Sequence, residues 1–211
     1  MDSYALARQL IDAAHSGDPK SLDGRPAELV YADRMEAWLL RLSPNAPDLL
    51  RLAARCQHLE RWTVPRGSFP ADRAGYLIWR KVLYGKQSER ARELLLKAGI
   101  GAQEAQDVAT WVSKSGLKTN AHTQLLEDAA CLVFLENEIS GFAAQHADYP
   151  REKFIGIVQK TWRKMSEAAR EAAHNLSLPS HIAELIREAV PNHHVTNEGY
   201  PATDSASEDK G

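Results

Sequence analysis

Between Arg55 and Arg80 the chain reads RCQHLERWTVPRGSFPADRAGYLIWR, which gathers Arg55, His58, Arg61, Trp62, Arg66, Arg73, Tyr76, Trp79 and Arg80 into one segment. Guanidinium forks match the oxygens of phosphate and carboxylate groups, and aromatic rings offer a planar ligand a face to stack on. The same residues serve equally well as the ion-paired edge of a core. Arg66, Arg73 and Arg80 either bind phosphate oxygens or pair with surface carboxylates. Trp62, Tyr76 and Trp79 either stack on a ligand or pack inside.

His58 is the residue in this stretch with the widest chemistry. The apolar pattern from Pro47 to Leu59 reads as a helix on which Arg55, His58 and Arg61 lie three apart, with Arg51 one turn before Arg55. Cations on both sides of an imidazole disfavour its protonation, and a neutral imidazole is what a metal or a general base requires. The complementary charge comes some 70 residues later, where Glu127 and Asp128 precede the run AACLVFLE. Carboxylates entering a core need partners, because an unpaired buried charge is costly. Two readings stand side by side: Glu127 and Asp128 pair with Arg55 or Arg61, or Asp128 joins His58 in holding a divalent metal such as Mn, Mg or Zn, with Glu127 beside them. His122 lies six residues before Asp128, off its helical face.

The elements that must position these groups read as helices throughout. Apolar spacing of 3.6 residues, Pro near starts and Gly near ends give helices over 3–15, from Pro26 to the Ser43-Pro44-Asn45 break, from Pro47 to about Leu59, from Pro70 to Gly85, over 87–98, over 102–114 and over 121–145. The helix over 121–145 carries seven consecutive apolar residues and is expected at the centre of the fold. Pro150 opens another, ending in the basic KTWRKM segment, a solvated helix end, and two short helices over 166–176 and 180–190 close the domain. No alternating pattern marks a strand and no repeat occurs. The expectation is an all-α single domain of nine or ten helices over residues 1–192. The polar tail over 193–211 has too little apolar surface to order, and its His193-His194 pair is at most a weak metal site.

A chain of 211 residues with net charge -2 offers no global field for nucleic acid, so DNA is not an expected partner and any anion site must be local. Cys56 and Cys131 each sit in an apolar helical pattern, as buried thiols of a reducing compartment do. No basic-then-apolar leader and no apolar run approaching roughly 18 residues is present, and the reading is a cytoplasmic protein with no membrane partner. The absence of GxGxxG, a P-loop, CxxC pairs, HExxH and GxSxG removes support for dinucleotide, P-loop, zinc-ribbon and common hydrolase classes.

The phrases AARCQHLERWTVPR, DRAGYLIWR, LEDAACLVFLE and KTWRKMS, in this order, resemble the domain of unknown function family 4202 over roughly residues 3–190. More distantly the layout is similar to the HD-domain superfamily of all-α, metal-dependent phosphohydrolases. That resemblance implies His58 and Asp128 as metal ligands. It departs from the family in having Leu59 after His58 and Glu28, Tyr31 and Arg34 where a first histidine would stand. The function it implies is binding of a phosphorylated or otherwise anionic small molecule, a nucleotide among the candidates. His58, Glu127 and Asp128 would be its catalytic groups, and Arg55, Arg61, Arg66, Arg73, Trp62, Tyr76 and Arg80 its substrate contacts. In the enzymatic version a metal-bound hydroxide hydrolyses the ligand. The alternative is a non-catalytic adaptor module for a protein or RNA partner, favoured if Trp62, Trp79 and Arg80 face solvent with no cavity beneath.

Overall fold

The computed structural model describes residues 2–190, and within them ten α-helices build a single all-α domain. The expectation for the tail over 193–211, with His193 and His194, lies outside the described residues. Helix α1, Ser3–His15, is capped by Asp2, whose side chain accepts from the Tyr4 N–H. A two-residue hairpin follows, Ser21–Leu22 (β1) against Arg25–Pro26 (β2), antiparallel. It corrects the expectation that no strand occurs. Asp23 and Gly24 hold φ at 51° and 77°, the primed-turn backbone that an Asp-Gly pair favours. Pro26 then serves as the N-cap of α2, Ala27–Leu42.

Helix α3, Asp48–Arg55, is shorter than its apolar pattern suggests and stops four residues before Leu59. Helix α4 runs unbroken from Arg73 to Lys97, where the sequence pattern suggests two helices separated at Gly85. A glycine inside a helix costs only about 1 kcal/mol, too little to end a helix whose Gln87, Ala91, Leu94 and Leu95 are buried. Asp72 caps the start of α4 by accepting from the Gly75 N–H at 2.7 Å.

Helix α5, Ala102–Val112, packs along α4. The expected central helix over 121–145 is present as three continuous pieces: α6 (Ala121–Val133), a π-helical turn (Phe134–Glu138) and α7 (Ile139–Gln145). Leu126, Ala129, Leu132, Val133 and Leu135 are at most 1% exposed, so this element runs through the middle of the core. Helices α8 (Arg151–Lys164), α9 (Glu167–His174) and α10 (Ser180–Ala189) cover its far side. Cys56 and Cys131 are buried free thiols, as expected, and burial pushes each up to about 12. Among the described residues no helix is long and apolar enough to cross a membrane.

Candidate functional site

The chain leaves α3 in a strained turn. His58 and Glu60 hold left-handed backbone, φ 60° and 49°, and the Arg61 N–H donates to the His58 carbonyl at 2.9 Å. Left-handed backbone is uncommon for any residue but glycine. His58 is therefore not on a helical face with Arg55. The turn swings its ring onto Tyr31 of α2, with centroids 4.0 Å apart and planes 11° from parallel. Glu28, in the first turn of α2, brings Oε2 within 3.3 Å of His58 Nδ1, and Arg61 Nη1 donates to the ring at Nε2, 3.0 Å away. Arg61 Nη1 also lies 3.3 Å from Nδ1, so the guanidinium is within hydrogen-bond reach of both ring nitrogens.

These groups line a cavity of about 370 Å³ between α2, the 56–61 turn and the π turn. Arg34 of α2 joins Arg61 there, and the opposite wall carries Asn137, Glu138, Gly141 and Phe142. The π turn is what presents Glu138. The extra residue in its loop shifts the register after Phe134, so Glu136 does not fall in line with Asp128 and Leu132 as i, i+4 spacing would place it. Glu136 instead accepts from the Trp38 indole at 2.8 Å.

The electrostatics of the cavity are set by burial. Burial first, and then Arg61, holds the His58 imidazole well below its ordinary value. The direction matches the expectation, but Arg55 has no part in it. Burial lifts the Glu28 carboxyl to about 7 against the pull of Arg61 and His15, and it raises Glu138 as well. The Tyr31 phenol is likewise pushed well above its usual range, by burial and then by Glu138 and Glu28.

The sequence pairing of Glu127 and Asp128 with the arginine stretch is corrected by the structure. Glu127 is held by Lys114 and by Lys164, whose Nζ lies 3.1 Å from Oε1. Burial works to raise its carboxyl, and the two ammonium groups outweigh it and hold it down at about 2. Asp128 accepts from Gln124 Nε2 at 2.9 Å and from the Ser166 N–H at 2.8 Å, tying α6 to the start of α9. Neither carboxylate lines the cavity, and His122 packs edge-on against Trp111. Among the described residues no three His, Cys, Asp or Glu side chains group as metal ligands. The donor set expected for a divalent ion at His58 and Asp128 is not assembled.

Arg55, grouped by sequence with the substrate contacts, is 1% exposed and fully engaged elsewhere. It donates to Asp12 at 2.7 Å through Nε, and through Nη1 to Asp33 at 2.8 Å and Glu36 at 3.0 Å, joining α1, α2 and α3. Arg66 donates to the Phe69 and Asp72 carbonyls and braces the loop before α4. Trp79 is buried, its indole donating to the Val64 carbonyl at 2.8 Å while the Arg61 guanidinium lies over its ring. Trp62 is half-buried against the end of α1 near Gly17. Arg73, Tyr76 and Arg80 stand on the outer side of α4, with Arg80 Nη1 donating to the Tyr76 hydroxyl at 3.0 Å. Of the residues singled out from the stretch, the cavity takes only His58 and Arg61. Sequence reasoning misses Glu138 and Asn137, because no sequence signal marks a π turn. Glu28, Tyr31 and Arg34 are legible only as occupants of another family's ligand position.

A second cavity of about 200 Å³ opens beyond Leu59, between the turn and α4. Its guanidinium is taken, with Arg90 donating to Glu60 at 3.1 Å and to Glu93 at 3.2 Å.

The family described as Domain of unknown function (DUF4202) matches residues 5–186, nearly the whole described domain. The chain belongs to this family. No curated protein and no solved structure matches the chain.

Proposed function

We propose that this protein binds an anionic small molecule in the cavity beside His58, with Arg61 and Arg34 receiving the anion. The observation that carries this reading is the state of the two guanidiniums. Among the described residues neither has a carboxylate within the 4.0 Å of an ion pair, although both line the cavity. Arg55, a few residues away, is surrounded by three. A cation kept in a recess without a counter-ion retains its attraction for an incoming anion, and phosphate or carboxylate oxygens fit its fork. Tyr31 and Phe142 supply apolar wall, and His58 contributes a neutral imidazole.

The hydrolytic version keeps this pocket and adds a proton transfer through His58 and Glu28. A thermal-shift panel of inorganic phosphate, alkyl phosphates and nucleotides, with and without Mn, Mg or Zn, tests both versions, with phosphate release as the second readout. Stabilisation by a phosphate that vanishes in Arg61→Gln supports the binding site. Gly141→Leu is the fold-neutral control, because a Cβ at Gly141 meets nothing within 4 Å. A larger side chain on this wall should narrow the cavity, and binding should weaken while the melt is retained. Unchanged binding in both variants would sink the reading.

The adaptor reading rests on a different face. Tyr76, Leu77 and Ile78 are 40%, 55% and 54% exposed on α4, beside Arg73 and Lys81, with no Asp or Glu between residues 73 and 88. Exposed aliphatic side chains suit a protein partner better than RNA. The buried Trp79 and the cavity beside His58 favour the small-molecule reading over this one.

A further inference from the structure

The cavity is lined by two guanidiniums and two carboxyl groups that form no ion pair with one another. Glu28 from α2 and Glu138 from the π turn share it with Arg34 and Arg61. Among the described residues Glu138 has no hydrogen-bond or ion-pair partner, and the Glu28 side chain touches only the His58 ring, at 3.3 Å. No guanidinium of the cavity comes within 4.0 Å of either carboxylate. The neighbouring Arg55 and Arg51, by contrast, close on carboxylates, as do Arg8, Arg25 and Arg90.

An arrangement of opposite charges held apart in a recess selects against a simple anion. A phosphate on Arg61 gains that attraction but also faces two carboxyl groups within the same half-enclosed recess, where repulsion is screened less than in bulk water. A ligand carrying both signs gains from both pairs and leaves no charge of the cavity uncompensated. The placement by element reinforces the pattern: Arg34 and Glu28 stand at different heights on α2, and Arg61 and Glu138 come from the turn and the π turn.

Building on the anion-binding reading, we propose that the ligand is zwitterionic, a primary amine joined by a short spacer to a phosphate or carboxylate, with the anion on Arg61 and Arg34 and the ammonium on Glu28 and Glu138. The amine-to-carboxylate contact then fixes orientation, and the arginines fix the anion.

The test is calorimetric titration of the full chain with four probes: 2-aminoethyl phosphate, 3-aminopropyl phosphate, ethyl phosphate and ethylamine. At least one aminoalkyl phosphate should bind tenfold or more tighter than ethyl phosphate, and ethylamine should bind weakest. Glu138→Gln, which keeps size and shape, should erase that preference by weakening the aminoalkyl phosphates while ethyl phosphate, relieved of one repelling carboxylate, binds as tightly or tighter, with an unaltered melt showing that the fold survives. Arg61→Gln should weaken both phosphates. Ethyl phosphate binding as well as both aminoalkyl phosphates would overturn the zwitterion assignment while leaving the anion site standing. Failure of every phosphate, with no effect of Arg61→Gln, would overturn the anion reading itself.

Discussion

At the scale of single residues, the arginines of one short stretch divide by what faces them. Arg55 is a buried structural node whose fork is filled by Asp12, Asp33 and Glu36. Arg8, Arg25 and Arg51 still hold these carboxylates when Arg55 is removed, so the loss is that of a buried, hydrogen-bonded node and its packing, about 1 to 3 kcal/mol. Arg55→Leu should therefore lower the unfolding free energy by that amount, whereas Arg61→Gln should leave stability within about 1 kcal/mol and act on binding. Chemical denaturation of both variants checks the contrast. His58 adds a backbone constraint to its chemistry. Asparagine tolerates its left-handed conformation better than alanine does, so His58→Asn should retain more stability than His58→Ala, with both weakening the ligand response.

Helix-scale features explain what is and is not legible in the sequence. The apolar period finds α1, α2, α5, α6 and α8 because each buries one continuous stripe, and the buried thiols follow from the same pattern. It fails where local backbone overrides the period. α3 ends early because His58 and Glu60 turn left-handed, and the π turn rotates Glu138 into the cavity and Glu136 out of line. Gly85 misleads in the opposite direction, because a single glycine does not outweigh the burial on either side of it. Gly85→Ala meets no neighbour within 4 Å and should stabilise α4 by up to about 1 kcal/mol, read as a raised melting temperature. The Glu127 pairing is also out of reach of sequence, since Lys114 and Lys164 lie on separate segments and only the fold brings them together.

For the whole molecule, the Glu127 ion cluster sets an acid limit on stability. Its folded carboxyl lies at about 2, below the ordinary value of 4.5, so its contribution is complete above pH 4.5 and is lost as pH falls toward 2. The size is on the order of 3 kcal/mol, because the group is buried and each tenfold change in proton affinity is worth about 1.4 kcal/mol. Glu127→Gln should be less stable at neutral pH and should show a shallower decline in acid, measured by urea unfolding from about pH 2.5 to about pH 6. Glu28 works with the opposite sign. Its carboxyl is raised from 4.5 to about 7, so ionising it in the cavity costs stability that Glu28→Gln should recover as pH rises through that range.

Glu28, Arg34, Arg61 and Glu138 stand half-buried and without ion pairs to one another between α2, the turn after α3 and the π turn, and ligand binding is expected at that location. Nitrogen-15 amide spectra recorded during titration with 2-aminoethyl phosphate are the decisive measurement. Shifts should cluster at residues 28–34, 58–61 and 134–145 and be absent in Arg61→Gln. Shifts that persist unchanged in that variant, or that fall on the outer face of α4 around Arg73 and Arg80, would contradict a site beside His58.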